Sequence, residues 1–197
     1  YISLSGEYVN SWININANVY SNWFRNKIEG MWSNDQTELH YINIGKSRLA
    51  GVETMCKIQI NRHINVHGAY NYLYTSKDAD GVRLSSSSPH SGNIRAEYNT
   101  RIPRYATVVN LSGNIMGKKK FDVLDELEID GKKVEAYYQA KVNPYCLWDL
   151  TVSQYIMQNL RITAGITNLF DYTSDRVTFN TSTSPGRNYF IACNYTL

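Results

Sequence analysis

The chain has 197 residues and a formal net charge of +3, with 43% hydrophobic and 13% aromatic residues. Its mean hydropathy is −0.42 and its longest apolar run is residues 189–193. These values exclude helical membrane spans, which need about 18 or more consecutive apolar residues. The small, dispersed charge does not indicate a nucleic-acid surface, and three widely separated cysteines indicate neither a disulfide framework nor a zinc site.

Alternating apolar and polar residues predict β-strands along the chain, because successive side chains of a strand point to opposite faces. Residues 2–8 and 12–28 predict the first two strands. The clearest hairpin follows, in which residues 52–60 and 64–74 each carry one apolar and one polar face across a turn at 61–63. Further strands are predicted at residues 94–98, 107–115, 148–152, 160–166 and 189–197. The pattern therefore predicts an all-β chain of roughly nine antiparallel strands.

The connections between these strands alternate in length. Short links fall near residues 10–11, 61–63, 100–104 and 157–159, and long polar ones at 29–38, 76–88, 117–141 and 171–184. Within the longest, Asp130-Gly131 is typical of a hairpin turn. A membrane barrel has short periplasmic turns and long outer loops. A soluble β-sandwich also alternates its faces but has no reason to sort its loops by length, so the barrel is favoured.

In a membrane barrel the apolar side chains face lipid and the polar ones face the lumen. The predicted lipid-facing residues are Ile58, Val66, Val109, Leu150, Ile162 and Ile191, and the predicted lumen-facing residues are Lys57, Asn65, Asn110, Asp149 and Thr163. The cysteines Cys56, Cys146 and Cys193 occupy the apolar positions of the alternation and are interpreted as small apolar side chains. Tyr70, Tyr72 and Tyr74 also occupy apolar positions of the alternation, which is typical of an aromatic girdle. Cross-strand packing in a soluble sheet is the alternative.

An odd number of strands indicates part of a larger barrel, because single-chain bacterial barrels usually have an even number. If the last strand ends in the periplasm, the first runs from the outside inwards and Tyr1 begins in mid-barrel. The first and last strands are therefore expected to remain unpaired with each other.

Four short segments follow one another in an informative order. Residues 43–53 read Asn-Ile-Gly-Lys-Ser-Arg-Leu-Ala-Gly-Val-Glu, and Pro89-His90 precedes a strand that ends at Tyr98. Residues 166–172 read Ile-Thr-Asn-Leu-Phe-Asp-Tyr, and residues 185–189 read Pro-Gly-Arg-Asn-Tyr. Each is weak alone, but their joint order resembles the C-terminal barrel half of TonB-dependent outer-membrane receptors. Many members of that family end in an aromatic residue, so Leu197 is interpreted as a tolerated variant of the assembly signal.

The resemblance implies an antiparallel transmembrane β-barrel segment of roughly nine strands, taken from a barrel of about 22 strands that an N-terminal domain plugs. Residues 1–197 would be the C-terminal portion of that barrel, with the plug domain and the earlier strands absent. The implied function is active uptake of a scarce nutrient (an iron chelate, haem, cobalamin or a similar compound) across the bacterial outer membrane. The implied partners are TonB, which engages a segment upstream of the plug, outer-membrane lipid and the small-molecule nutrient.

The sequence contains none of the common catalytic motifs, such as Gly-x-Ser-x-Gly, Cys-x-x-Cys or His-Glu-x-x-His. The chain is therefore not expected to be an enzyme, and no catalytic residue, cofactor or metal is expected. His40, His63, His67 and His90 are scattered, so solvated or lumen-lining histidines are favoured over a haem ligand.

The long loop at 117–141 holds five carboxylates, Asp122, Asp125, Glu126, Glu128 and Asp130. Their spacing fits no EF-hand, so a solvated acidic loop is favoured over a calcium site. Lys118-Lys119-Lys120 are interpreted either as a solvated basic tip or as contacts for lipid phosphates. The candidate ligand contacts on the loops and the upper wall are Tyr137, Tyr138, Asn71 and Thr75.

Two other functional classes remain open on the residues alone. A small outer-membrane barrel enzyme would need paired acidic or Ser/His groups at the end of the barrel that carries the loops. A secreted β-sheet adhesin or binding module would stay soluble without detergent.

Overall fold

The computed structural model describes residues 1–33, 38–76, 88–129, 132–157, 159–174 and 185–196. The strands are β1 (Ile2–Val9), β2 (Ile13–Trp32), β3 (Leu39–Gln59), β4 (Ile64–Thr75), β5 (His90–Asn99), β6 (Thr107–Met116), β7 (Lys119–Ile129), β8 (Lys132–Val142), β9 (Tyr145–Ile156), β10 (Leu160–Thr167) and β11 (Asn188–Tyr195). No helix long and apolar enough to cross a membrane occurs in these ranges.

Nine of the strands form one antiparallel sheet in the order β1-β2-β3-β4-β5-β6-β9-β10-β11, and β7 and β8 form a separate hairpin between β6 and β9. The expected count of roughly nine strands in the wall is confirmed. Among the described strands, β1 pairs with β2 alone and β11 pairs with β10 alone. The sheet is therefore open, as predicted, and not a barrel closed on itself.

Two connections differ from their predicted lengths. β2 and β3 are 20 and 21 residues long, so they reach into the predicted loop at 29–38 and also include the motif at 43–53. The backbone of Asn26 has a φ of 53°, and the regular alternation that marks a strand is lost around this residue. The predicted loop at 117–141 contains the hairpin β7–β8, in which Ile129 pairs with Lys132. That pairing leaves two residues for the turn predicted at Asp130-Gly131, which lies outside the described residues.

The sheet has two unlike ends, as the alternating connections predict. The turn end carries the short links between β1 and β2, β3 and β4, β5 and β6, and β9 and β10. The loop end carries the remaining connections, including the hairpin β7–β8. Asparagine side chains close the short turns: Asn61 Oδ1 accepts hydrogen bonds from the backbone N–H of His63 (2.8 Å) and Ile64 (3.0 Å). Asn99 Oδ1 accepts one from Arg101 (2.8 Å), so both side chains mimic the backbone of a turn.

Register sorts the side chains onto an apolar and a polar face, since directly opposed residues share a face. Along one row Ile58 pairs with Val66 and Val66 with Ala96, whereas along another Lys57 pairs with His67 and His67 with Arg95. Every predicted lipid-facing residue and all three cysteines lie on the apolar face, and every predicted lumen-facing residue lies on the polar face. The predicted partition of the faces is confirmed.

The sheet is a single layer with its apolar face uncovered. Val142 is the one hydrophobic side chain classed as buried among the described residues, whereas Leu4 and Ile191 are 77% and 78% exposed. A β-sandwich would enclose such side chains between two packed sheets. The sandwich alternative is therefore wrong, and the apolar band needs a nonaqueous environment outside the chain.

Exposed aromatic side chains flank this band at both ends of the sheet. Trp23, Tyr74 and Tyr189 lie on the apolar face towards the loop end, and Tyr8 and Tyr195 lie on it towards the turn end. The predicted position of Tyr70, Tyr72 and Tyr74 on the apolar face is confirmed by their pairing with Thr54, Val52 and Ala50. Aromatic rings above and below an aliphatic band are the arrangement of a barrel that crosses a bilayer.

Candidate functional site

A groove of about 610 Å³ runs across the polar face towards the loop end, and we call it the polar-face groove. Two neighbouring cross-strand rows form its floor. One is Glu53, Asn71, Ser91, Met116 and Tyr145, and the other is Met55, Ala69, Asn93, Asn114 and Leu147. Strands β3, β4, β5, β6 and β9 each contribute one residue to each row, so register alone brings these side chains together.

The lining combines hydrogen-bonding groups with apolar surface. Glu53 accepts a hydrogen bond from Asn18 Nδ2 at 3.4 Å. Asn71 Oδ1 is buried and has no hydrogen-bond partner among the described residues. A buried acceptor without a partner costs about 1–3 kcal/mol, so Asn71 lowers the stability of the wall at this position. Amides and one carboxylate beside Met and Leu side chains suit a polar organic ligand of moderate size.

An aromatic pair stands at the loop end of the groove. The rings of Tyr145 and Tyr172 are stacked, with centroids 4.9 Å apart and an interplanar angle of 10°. Tyr145 lines the groove, and Tyr172 belongs to the connection that follows β10. The pair therefore forms a flat, partly apolar rim beside the amides of the floor.

The structure treats the four predicted ligand contacts differently. Asn71 lines the polar-face groove. Thr75 lies on the same face nearer the loop end, opposite Leu49, and does not line the groove. Tyr137 and Tyr138 occupy β8 opposite Leu124 and Val123, and their side chains lie outside the described residues.

Sequence reasoning missed most of the groove. Glu53, Asn93, Asn114 and Tyr145 were not identified as candidate contacts, although the alternation assigns the first three to polar positions. The missing information was the register, which decides which polar position on one strand lies beside which on the next.

A charged row crosses the polar face nearer the turn end. Arg95 donates two hydrogen bonds to Asn110 Oδ1, at 3.2 Å from Nε and 2.9 Å from Nη2, and its Nη2 lies 3.5 Å from a Glu97 oxygen. His67 and Lys57 follow along the same row. The row is solvated and exposed, so its ion pair contributes little to stability.

The segment at 166–172 and the segment at 185–189 meet at the loop end, and we call this contact the loop-end brace. Asn168 is 4% exposed with a φ of 52°, and its backbone N–H donates to Asp149 Oδ1 on β9 at 2.9 Å. Its side chain donates to the carbonyl of Tyr172 (2.7 Å) and accepts from the Tyr172 N–H (2.8 Å). These bonds join the end of β10 to β9.

The brace also reaches the last strand. Asp171 Oδ1 accepts a hydrogen bond from the Arg187 backbone N–H at 2.7 Å. Gly186 has a φ of 86°, and a Cβ added there would lie 3.2 Å from Asp171 Oδ1, so glycine allows the close approach. Arg187 is exposed, and a hydrogen bond from its guanidinium to the Tyr189 side chain raises its pKa. The charges of Tyr189 and, to a smaller extent, of Asp171 raise this pKa further. Two motifs that sequence reasoning treated separately therefore form one structural unit.

The described histidines have structural or solvated positions. In the turn after β3, His63 Nδ1 bonds the carbonyl of Asn99 (2.8 Å) and its Nε2 accepts from Arg62 Nε (2.8 Å). His90 Nδ1 lies 2.7 Å from the hydroxyl of Tyr70, and His67 is exposed on the polar face. Within the described ranges no group of three or more His, Cys, Asp or Glu residues is arranged to hold a metal ion.

The basic run at the start of the hairpin β7–β8 is only partly solvated. Lys118 and Lys120 are exposed, but Lys119 is partly buried, and burial lowers the pKa of its ammonium group. Lys118 and Lys120 therefore have the exposure expected of a solvated basic tip, whereas Lys119 is less exposed. The carboxylates predicted to form an acidic loop belong to side chains outside the described residues.

Comparison with known proteins gives the same architecture. Residues 2–169 match the family model described as TonB dependent receptor-like, beta-barrel. Among solved structures, the siderophore receptor PirA from Acinetobacter baumannii is similar at a TM-score of 0.72 and 16% identity, over 98% of this chain and 31% of that one.

Two receptors from Pseudomonas aeruginosa are similar to the same degree. The ferric enterobactin receptor PfeA, in complex with BCV-L6, gives a TM-score of 0.70 at 18% identity, over 98% of this chain and 30% of that one. The outer-membrane ferripyoverdine receptor bound to ferripyoverdine gives a TM-score of 0.69 at 18% identity, over 97% of this chain and 26% of that one. At this identity the solved structures show the fold alone, and the chain spans less than a third of their length.

Proposed function

The chain belongs to the TonB-dependent receptor β-barrel family, and from this premise we propose that it forms the C-terminal wall of a receptor that imports a scarce nutrient with energy delivered through TonB. As a member of this family the chain is part of an outer-membrane receptor and not an enzyme. Its apolar face then meets lipid and its polar face lines the lumen.

The observation that carries the proposal is the polar-face groove. It lies on the lumen side, close to the loop end, where a molecule arriving from outside meets the wall first. Its amides, its carboxylate and the stacked Tyr145 and Tyr172 suit a polar ligand with hydrogen-bonding groups and some apolar surface. An iron chelate, haem or cobalamin has this mixed character. The solved receptors similar to this chain are named for a siderophore, ferric enterobactin and ferripyoverdine, which supports an iron chelate.

In the proposed mechanism the wall binds and orients the ligand but does not supply the energy. The amide side chains of Asn71, Asn93 and Asn114 would hold the polar edge of the ligand. Tyr137 and Tyr138 on the outer hairpin, with Thr75 above the groove, are proposed as contacts along the entry path. TonB would then bind a segment that precedes the plug domain and pull on the plug. The movement of the plug would open the lumen.

The domain organisation is part of the same proposal. The chain spans 25–31% of the solved receptors it resembles, and its nine-stranded sheet is open. Both observations support residues 1–197 as a portion of a larger barrel, and the order of the four sequence motifs supports its C-terminal part. The intact gene product is expected to encode a plug domain and a TonB-binding segment before these strands.

The test uses the intact receptor in its host. Uptake of a radiolabelled iron chelate is expected to need both the receptor and TonB, while binding to the cell surface needs the receptor alone. Replacing Asn71 and Asn114 together by alanine should weaken surface binding about tenfold or more, since each lost hydrogen bond contributes about 1 kcal/mol. Asn65→Ala is the matched control, because Asn65 lies on the same face outside the groove.

Three outcomes would contradict the proposal. Uptake that persists without TonB would indicate a passive pore. Binding that the groove variant and the Asn65→Ala control affect equally would remove the groove from recognition. If cells neither take up nor bind an iron chelate, haem or cobalamin, an adhesin built on the same barrel would be the better explanation.

A further inference from the structure

Three cations interrupt the apolar face at its loop end. Arg48 pairs with Trp23, and Lys46 pairs with Arg25 one row further towards the loops. All three cations are exposed, and none forms an ion pair within the described part of the chain. They share the face of Val52 and Val19, which also pair with each other. A cation on the lipid face costs about 2–4 kcal/mol at the bilayer midplane and much less near the interface, so this cluster marks headgroup depth.

A furrow continues from the cluster down the apolar face. It encloses about 660 Å³ and is lined mainly by apolar side chains, among them Leu4, Val19 and Val52, with Trp23 and Arg48 at its loop-end head. It exists because Ser21 and Ala50, a pair of small residues, lie between the larger row above and the valine row below. Ile2 and Tyr74 pair with these two small residues and form the sides.

Arg48 is held in place at the head of the furrow. Its guanidinium carbon lies 5.4 Å from the centroid of the Trp23 ring, and its Nε donates to Ser21 Oγ at 2.8 Å. The backbone N–H of Arg48 donates to Ser76 Oγ at 2.7 Å, which ties this position to the end of β4. Stacking and the Nε bond fix the plane of the guanidinium, and its Nη atoms form no hydrogen bond with the described residues. A planar, oriented guanidinium is well suited to bind phosphate oxygens.

We propose that this face binds one phosphorylated, acylated lipid of the outer leaflet, with its phosphate on Arg25, Lys46 and Arg48 and an acyl chain in the furrow. The charge selects an anionic headgroup, and the adjoining apolar furrow selects a lipid over a free anion. The aromatic side chains Trp23 and Tyr74 lie between the two parts, at the level where headgroups meet acyl chains. The inference rests on the outer-membrane barrel and not on the identity of the nutrient.

The test measures lipid retained by the intact receptor purified in detergent, by native mass spectrometry during titration with a phosphorylated lipid. Replacing Arg25, Lys46 and Arg48 together by glutamine should reduce lipid affinity about a hundredfold. Each cation near a lipid surface raises the affinity by a factor of about five, and the three factors multiply. Ala50→Phe should fill the furrow and weaken lipid binding with all cations intact. Lys57→Gln is the control, because it removes one charge from the opposite face.

Several results would overturn the proposal. A triple variant that retains lipid as well as the Lys57→Gln control would show that the cations do not bind it. Equal binding of the dephosphorylated lipid would indicate unselective annular contact, and equal affinity for inorganic phosphate would indicate a bare anion site. Should the triple variant fail to assemble, Lys46→Gln alone, at an exposed position, should still lower affinity about fivefold, and an unchanged affinity would again overturn the proposal.

Discussion

An asparagine side chain bonds backbone groups at each end of the sheet, but the two asparagines differ in their exposure and in what they connect. At the turn end, exposed Asn61 bonds two backbone N–H groups of its own tight turn. At the loop end, Asn168 is 4% exposed and bonds Asp149 on β9 and Tyr172 after β10, while Asp171 of the same brace bonds Arg187 before β11. A local turn needs only its own residues, whereas the brace holds separate strands together. Stability at the loop end therefore depends on a few buried contacts, and the other side chains there are free to serve recognition.

The largest effect is expected from removing the last strand. Deleting residues 189–197 leaves β10 as an unpaired edge in lipid, and each unmet backbone group there costs several kcal/mol. The intact receptor should then fail to assemble. The measurement is the fraction of receptor that migrates as a folded, heat-modifiable band in outer-membrane extracts. A normal folded fraction would show that another segment completes this edge.

The next effect is expected at the loop-end brace. Asn168→Ala removes both side-chain bonds to Tyr172 and leaves the part-buried backbone groups of Tyr172 unpaired, so it should destabilise the receptor by about 2–4 kcal/mol. Urea unfolding in detergent, followed by tryptophan fluorescence, gives the shift of the midpoint. Thr173→Ala, at an exposed position nearby, should leave the midpoint unchanged. Equal midpoints for the two variants would remove the contrast between the ends.

A smaller effect is expected at the turn end. Asn61→Ala removes the two turn bonds to His63 and Ile64, but water can replace them at this exposed site. The expected destabilisation is about 0.5–1 kcal/mol in the same urea experiment. A loss as large as that of Asn168→Ala would mean that the short turns also hold the wall together.

The smallest effect on folding is expected from the outer hairpin. Replacing residues 120–141 by a short Gly-Ser link keeps the buried Val142 and the pairing of β6 with β9, so the free energy of unfolding from the urea experiment should change by less than about 0.5 kcal/mol. Ligand binding at the cell surface should weaken, because the hairpin extends the wall beyond the groove. Unchanged binding in a folded variant would exclude the hairpin, with Tyr137 and Tyr138, from the entry path.

Much of the wall could be predicted because its signal is local. Alternation alone assigns Lys57 and Ile58 to opposite faces, and bilayer thickness sets the strand length. The second predicted strand ends at residue 28, and the extension of β2 to Trp32 could not be predicted because the alternation is lost around Asn26. Contacts between strands were also out of reach. Nothing near Gly113 in sequence indicates that the ring of Trp148 lies over it, where an added Cβ would come within 2.9 Å of the ring.

The hairpin β7–β8 also has a kinetic consequence. Every other pair of neighbours in the main sheet is consecutive along the chain, but β6 must find β9 across residues 117–144. Closing an unstructured loop costs about (3/2)RT ln n, so a hairpin that forms first and brings its own ends together saves about 1–2 kcal/mol of chain entropy. Local hairpins form in about 1–10 μs, before distant segments meet. The slowest pairing in the wall thus becomes nearly as local as the others, and strands can be added in order from either side of it.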